Sequence, residues 1–159
     1  MKKYTRLLRV VLWLLVLAWM AVIFCFSMEN ADESSSTSGT VIRWLLAHFD
    51  GEFDSLTPAE QFMRIEDWSF AVRKLAHFTV FAVLGCLLTA ACAVDLGPGK
   101  AFTAAMILGI LYAFSDELHQ YFVPGRACQL RDVCIDASGV LLGAGVFTLI
   151  RRTRMRRKA

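Results

Sequence analysis

The 159-residue chain has few charged residues, few prolines and no paired cysteine motif. Charged residues make up 19% of it and proline occurs 3 times, whereas 57% of the residues are hydrophobic. A soluble domain is typically about 25% charged and about 45–50% apolar. The apolar content excludes a disordered chain, and 10 Gly with 5 Cys exclude a collagen-like chain and a disulfide scaffold. No Cys-x-x-Cys pair and no zinc-finger spacing occur in the sequence.

Four apolar runs are long enough to form membrane-spanning helices, which need about 20 residues. They cover residues 7–27, 75–94, 101–122 and 133–150. Apolar helices buried in soluble proteins usually stop after about 10–14 residues. The first run also exceeds the roughly 7–15 apolar residues of a signal peptide, so we interpret it as an uncleaved anchor. We therefore predict an all-α integral membrane protein with four transmembrane helices.

The distribution of charge predicts how the spans are oriented. The first nine residues contain four basic residues and no acid, and residues 151–159 contain six basic residues and no acid. Residues 28–73 instead contain nine Asp or Glu and three Arg. Because basic segments stay on the cytoplasmic side, both termini are predicted to be cytoplasmic and residues 28–73 and 122–131 extracytoplasmic. The basic tail is interpreted as a contact for anionic lipids and not for a nucleic acid.

These patterns divide the chain into four segments. Residues 1–27 are the basic N-terminus and the first span, and residues 28–73 are the first extracytoplasmic loop. Residues 74–150 hold the other three spans, and residues 151–159 form the basic cytoplasmic tail.

The first extracytoplasmic loop is predicted to contain two short amphipathic helices. The serine-rich run 34–39 is typical of a loop, and residues 40–49 then place apolar side chains at helical spacing. Thr57, Pro58 and Glu60 form a capping-box pattern that begins the second helix. The two helices are expected on the outer membrane surface or over the end of the bundle. The predicted apolar face of the second helix consists of Phe62, Ile65, Trp68 and Val72.

Polar residues collect at the predicted outer ends of the last three spans. Spacings of three or four residues place those of each span on one helix face. An ionised Asp that faces lipid near a helix centre costs about 2.5–3.5 kcal/mol, so these side chains are expected to face one another. Gly139 and Gly143 share the stripe of Asp136, and small residues at this spacing mark a face packed against another helix. With Gly85 on the second span, they are expected to bring the backbones close together.

We predict that these residues form one outward-open polar pocket. His119 and Arg131 are expected at its rim, and Arg73 in the layer of lipid headgroups. The predicted pocket consists of Lys74, His77, Asp116, Glu117, Gln120, Arg126, Asp132 and Asp136.

The chemistry of these residues supports two hypotheses from different classes. In the first, the protein is a hydrolase or transferase of a phosphorylated envelope lipid, such as a polyprenyl phosphate or a phospholipid, although no established phosphatase or transferase motif is present. In the second, it binds a lipid headgroup or a drug without catalysis, or is an accessory subunit of envelope machinery. The carboxylates also suit a divalent cation. The candidate catalytic residues are His77, Asp116, Glu117 and Asp136, and the candidate substrate-binding residues are Lys74, Gln120, Arg126 and Asp132.

Three further questions stay open at this stage. The same polar residues are also compatible with interhelical salt bridges, for example between Asp136 and Lys74, that do no more than hold the bundle together. The pattern does not indicate an oligomeric state. Cys128 and Cys134 both lie near the predicted outer face, and nothing in the sequence decides whether they pair.

Several motifs in these spans resemble the VanZ-like family of bacterial membrane proteins. The resemblance extends from about residue 7 to residue 150. The chain departs from the family at residues 26–29, where FSME replaces the usual FSSQ, and at Asp136, where the family usually has Asn. The motifs are RKLAHF at 73–78 with Phe81 and Gly85, SDELHQ at 115–120 with Phe122 and the PGR turn at 124–126, and Asp132, Asp136, Gly139 and Gly143 in the last span.

The resemblance implies a multi-pass protein of the bacterial cell membrane with a role in the cell envelope. The namesake of the family is associated with low-level resistance to teicoplanin, a lipoglycopeptide that acts outside the membrane. Membrane lipids are the partners expected from the charged residues, and the link with teicoplanin resistance belongs to the family, whose members need not all take part in resistance.

Overall fold

The computed structural model describes residues 2–157, without the side chains of residues 2, 3 and 31–33. In the part of the chain that it describes, helices are the regular secondary structure and no strand is present. Four of the helices, all except α2, are long and apolar enough to cross a membrane, so the prediction of four spans is confirmed. Lys158 of the predicted basic tail lies outside the described residues. The helices are α1 (Lys2–Ser27), α2 (Ala31–Phe49), α3 (Pro58–Cys92), α4 (Pro98–Gln120) and α5 (Leu130–Arg156), with a 3-10 turn at Phe53–Ser55.

The predicted capping box at the start of α3 is confirmed. The Thr57 hydroxyl accepts a hydrogen bond from the Glu60 backbone N–H, and the Glu60 carboxylate accepts the Thr57 backbone N–H at 2.8 Å. Pro58 occupies the first turn, where its missing N–H leaves no hydrogen bond unmade. Local chemistry alone therefore determines where this helix begins.

The prediction of a loop at residues 34–39 is wrong, because these residues lie inside α2. The Ser38 hydroxyl donates to the Ser34 carbonyl at 2.8 Å, and the Thr40 hydroxyl donates to the Ser36 carbonyl at 3.1 Å. Bonds of this kind satisfy a hydroxyl within a helix. Tertiary packing then stabilises the helix, because Ile42 is buried against Phe53 and Ile65.

The second predicted amphipathic helix is not a separate element. It is the first part of α3, which runs for 35 residues without a proline after its first turn. At 1.5 Å per residue this helix is about 50 Å long, so it extends beyond a hydrocarbon layer of about 30 Å. Its predicted apolar face is only partly right. Ile65 is buried together with Ile42 and Phe53, and Val72 packs against these three residues. Phe62 and Trp68 are instead exposed.

The centre of the bundle is the contact between α3 and α5, which run parallel to each other. Added side-chain carbons at Gly85, Gly139 and Gly143 would each lie 2.3 Å or less from a backbone oxygen of the facing helix. The predicted close approach of the two backbones is therefore confirmed. α4 packs against both helices, and α1 packs mainly on α3. The main core cluster includes Phe81, Leu84, Leu88, Ala113 and Val140.

Two polar contacts attach α1 to the rest of the bundle. The Trp19 indole N–H donates to the Val80 carbonyl at 2.8 Å, and the Tyr112 hydroxyl donates to the Met20 carbonyl at 2.6 Å. We call the end of the bundle with residues 28–57 and 121–129 the loop end, and the opposite end the tail end. All five cysteines are free, including Cys128 and Cys134.

Candidate functional site

Three helices bring ionisable side chains together at the loop end. His77 of α3, Asp116 of α4 and Asp136 of α5 each offer one ligand atom, and these atoms lie within 4.8 Å of one another. The His77 Nδ1 atom is 3.7 Å from the Asp136 Oδ1 atom, too far for a hydrogen bond. Asp136 is fully buried, and neither of its carboxylate oxygens has a hydrogen-bond partner among the described residues.

Asp116 is held by donors on both of its oxygens. The Ser27 hydroxyl, at the end of α1, donates to Asp116 Oδ1 at 2.6 Å. The Gln120 side-chain amide, one turn along α4, donates to Asp116 Oδ2 at 3.0 Å. Arg126 in turn donates to the Gln120 side-chain oxygen at 3.1 Å. The orientation of Asp116 is therefore fixed by a chain of hydrogen bonds that ends at a guanidinium.

The position of Arg126 follows from the turn that precedes it. The Arg126 N–H donates to the Val123 carbonyl at 3.1 Å, and Gly125 has a φ of 76°. Pro124 at the second position and a glycine with positive φ at the third are typical of a type II turn. Burial and the neighbouring Arg73 lower the pKa of the Arg126 guanidinium, which nevertheless stays charged at neutral pH.

The other predicted polar residues are engaged with one another or with the backbone. Lys74 forms an ion pair with Asp132, which also lies 3.6 Å from Arg131. The Glu117 carboxylate accepts the Gln129 backbone N–H at 3.0 Å, just before α5 begins. Glu117 is buried and thus anchors the connection between α4 and α5.

A cavity of about 510 Å³ opens beside this cluster, between the end of α1, α2 and α3. Of the eight residues predicted to form one pocket, His77 and Arg126 line the cavity, and the other six do not. The apolar part of the wall includes Ile23, Phe26, Val41 and Leu45. The polar part includes Ser27, Glu29, Arg73, His77 and Arg126.

His119 and Arg131, predicted at the rim, are not among the residues that line the cavity. The His119 ring packs on Phe24 with centroids 4.5 Å apart. The Arg131 side chain is 58% exposed, and its guanidinium lies 4.9 Å from the centre of the Phe70 ring.

The roles of Ser27 and Arg73 in this region differ from those predicted from the sequence. Ser27 was read as the last residue of a span, yet it is buried and holds Asp116. Its place in the FSME segment, which corresponds to the FSSQ motif, was the available signal. Arg73 was assigned to the headgroup layer, and it lines the cavity and donates to the Ser35 hydroxyl at 3.2 Å.

These features define a helical multi-pass membrane protein with a buried polar cluster at one end. A family model for VanZ/LLP1 matches residues 12–151, which is nearly the whole chain. The chain therefore belongs to the VanZ family. No match was found among curated proteins or among solved structures.

Proposed function

We propose that the protein binds the phosphate-bearing headgroup of an envelope lipid in the loop-end cavity. The observation that carries this proposal is the composition of one wall, where Arg73, His77 and Arg126 open on a cavity whose other walls are largely apolar. The volume of about 510 Å³ lies within the roughly 300–1,000 Å³ of known small-molecule sites.

The two guanidiniums supply the charge for a phosphate. Among the described side chains, no carboxylate lies within ion-pair distance of Arg73 or Arg126, and their hydrogen bonds go to neutral oxygens of Ser35 and Gln120. A half-buried guanidinium that no carboxylate engages in an ion pair is well suited to the bidentate geometry of a phosphate, although Glu29 also lines the cavity. Lys74, which the sequence analysis also assigned to the substrate, is already paired with Asp132.

The apolar wall supplies a surface for the chain of the lipid. Ile23, Phe26 and Leu45 line the cavity from α1 and α2. A lipid with one phosphate and a hydrocarbon chain matches both walls, and polyprenyl phosphates, lipid-linked envelope precursors and phospholipids share this chemistry.

The enzymatic form of the proposal gives His77 the reacting role. His77 lies in the cavity wall with Asp136 3.7 Å away, and catalytic hydrogen bonds that orient an imidazole often shorten to bonding distance only when the substrate binds. Hydrolysis would add water to the phosphorus and break its bond to the lipid oxygen, which yields the lipid alcohol and phosphate. In transfer, a second alcohol would take the place of water.

A purely binding role is the second candidate, because Asp116 and Asp136 do not line the cavity. The variant His77→Ala distinguishes the two roles in an assay of phosphate release together with lipid binding. An enzyme should retain binding within about 3-fold and lose at least about 100-fold in turnover. A binder shows no turnover in the wild type. Teicoplanin susceptibility of cells with and without the protein checks the link that the resemblance implies.

Binding itself is tested with the full chain in lipid nanodiscs. The probes are a polyprenyl phosphate and the corresponding polyprenol, measured by native mass spectrometry. We expect the phosphate to bind at least about 10-fold more tightly, and Arg126→Gln to remove most of this preference. Arg131→Gln is the matched control, since Arg131 is exposed and outside the cavity. Equal binding of both probes, or equal effects of both variants, would overturn the proposal.

The proposal also requires the loop end to face outwards. The basic residues near both termini and the acidic segment 28–73 support this orientation. In a cysteine-free background, Ser36→Cys is expected to react with a membrane-impermeant thiol reagent on intact cells, whereas Gly99→Cys is not. Both positions are exposed, and an added side chain at Gly99 meets no atom within 4 Å. Labelling of Gly99→Cys alone would reverse the orientation.

A further inference from the structure

We propose that His77, Asp116 and Asp136 hold one divalent transition-metal ion. The three side chains come from three different helices, and one ligand atom from each lies within 4.8 Å of the other two. Of the three residues, only His77 also lines the cavity, and the uptake of the ion is measured without any lipid ligand, so this proposal is tested independently of lipid binding.

The burial of Asp136 without a hydrogen-bond partner is the observation that points to an ion. Its side chain is 1% exposed, and its two oxygens have no hydrogen-bond partner among the described residues. No Lys or Arg in that part of the chain lies within ion-pair distance of Asp136. Buried carboxylates are normally paired, hydrogen-bonded or bound to a metal, because an unpaired buried charge is very costly.

The neighbouring acids Asp132 and Glu117 differ in that one oxygen of each is engaged, although their other oxygen is buried without a hydrogen-bond partner. Asp132 has Lys74 as its ion-pair partner, and Glu117 accepts the Gln129 N–H. From the sequence alone, four carboxylates are equally possible ligands of a cation, namely those of Asp116, Glu117, Asp132 and Asp136. In the structure, only Asp116 and Asp136 of these four lie in one group with His77, with ligand atoms within 4.8 Å of one another.

Asp116 has the surroundings of an oriented metal ligand. Each of its oxygens accepts one hydrogen bond, from Ser27 on one side and Gln120 on the other. An ionised carboxylate has about four acceptor positions, so each oxygen keeps one for an ion. In metal sites, hydrogen bonds from residues behind a ligand commonly fix its orientation.

The donor set indicates which ions fit. Zinc binds imidazole nitrogen and carboxylate oxygen at about 2.0–2.2 Å, so two ligands of one tetrahedral ion lie about 3.3–3.5 Å apart. The 3.7 Å between His77 Nδ1 and Asp136 Oδ1 is close to this separation. An imidazole together with carboxylates suits Zn²⁺ or Mn²⁺, whereas Mg²⁺ and Ca²⁺ prefer oxygen ligands alone. An ion of charge +2 would also balance the two carboxylates.

The test measures metal content directly on the full chain in detergent micelles. The protein is treated with EDTA, dialysed to equilibrium against ZnCl₂, MnCl₂ or MgCl₂, and analysed by inductively coupled plasma mass spectrometry. We expect about one Zn²⁺ or Mn²⁺ per chain and much weaker uptake of Mg²⁺. Asp136→Asn and His77→Ala should each weaken Zn²⁺ binding by at least about 100-fold.

Asp132→Asn is the matched control, because it removes a buried acid of the same helix that has Lys74 as its partner. It should retain the ion. A wild-type protein without saturable Zn²⁺ or Mn²⁺ uptake, or equal loss in Asp132→Asn and Asp136→Asn, would overturn the proposal.

A milder variant covers the case in which the ligand variants do not fold. Ser27→Ala keeps all three ligands and removes one hydrogen bond to Asp116. It should weaken Zn²⁺ binding by about 10-fold, the lower end of the effect of residues behind a metal ligand. Size-exclusion chromatography shows whether the Ser27→Ala protein is folded, and dialysis measures its Zn²⁺ affinity. An unchanged Zn²⁺ affinity in the folded protein would count against the site.

Discussion

The contact between α3 and α5 has two halves that are built in opposite ways. Towards the tail end, Gly85, Gly139 and Gly143 bring the two backbones into direct contact. Towards the loop end, the same helices face each other through Lys74 with Asp132 and through His77 with Asp136. We call these parts the glycine half and the polar half.

The difference shows how one helix pair combines rigidity with chemistry. In the glycine half the two helices are held by van der Waals packing of their backbones. Small residues at helix interfaces commonly allow such packing in membranes. In the polar half, by contrast, several buried atoms of His77, Asp132 and Asp136 lack hydrogen-bond partners among the described residues. The close contact in the glycine half holds these groups in place.

The largest effect is expected from a substitution in the glycine half. A side-chain carbon added at Gly143 would lie 1.8 Å from the Ala82 carbonyl oxygen, so Gly143→Ala has to push two backbones apart. We expect a loss of about 4 kcal/mol or more, above the usual range for overpacking. SDS titration followed by circular dichroism measures it. Gly145→Ala is the control, since a side-chain carbon added there would meet no atom within 4 Å. Equal losses in the two variants would show that the close backbone contact is not the cause.

The next effect tests the polar half by removing a cation. Lys74→Met leaves Asp132, whose side chain is 12% exposed, with only the exposed Arg131 at 3.6 Å as a cation among the described side chains. We expect a loss of roughly 3 kcal/mol, the lower end for a broken buried pair. The double variant Lys74→Met with Asp132→Leu should regain most of the loss in the same SDS titration. A double variant as unstable as the single one would mean that the unpaired charge is not the cause.

A smaller effect is expected where the polar half extends to α1. Ser27→Ala removes the donor to Asp116 Oδ1. Interhelical hydrogen bonds in membrane proteins contribute about 0.6 kcal/mol on average and about 1.7 kcal/mol at most, so we expect a loss near 1 kcal/mol. Ser36→Ala, at an exposed position of α2, should leave the unfolding midpoint unchanged. A loss above that of Lys74→Met would place α1 among the main elements of the polar half.

The smallest effect is expected at the tail end. Arg9 pairs with Asp95, but the two side chains are 45% and 47% exposed. Exposed ion pairs are weak and screened by salt, so Arg9→Gln should change the free energy of unfolding by less than about 0.5 kcal/mol. Comparison of the SDS midpoint at low and high salt checks this. A loss comparable to that of Lys74→Met would show that exposure does not separate the two ion pairs.

Much of the candidate site could be predicted, because helical spacing alone shows which polar residues share a face. Asp132 and Asp136 lie on the stripe of Gly139 and Gly143, and the structure packs that stripe against α3. Which polar group faces which partner could not be predicted. The pairing of Lys74 with Asp132, and the isolation of Asp136 beside His77, depend on the rotation and depth of two separate helices.

The sequence by itself determined the four spans, their glycine contacts and the start of α3, since each depends on the composition or spacing of neighbouring residues. Only the tertiary structure decided that residues 34–39 are helical, because burial of Ile42 against Phe53 and Ile65 overrides the preference of serine for loops. It also decided that Ser27 and Arg73 belong to the site. They meet Asp116 and the cavity through contacts between distant segments, and such contacts leave no periodic pattern in the chain.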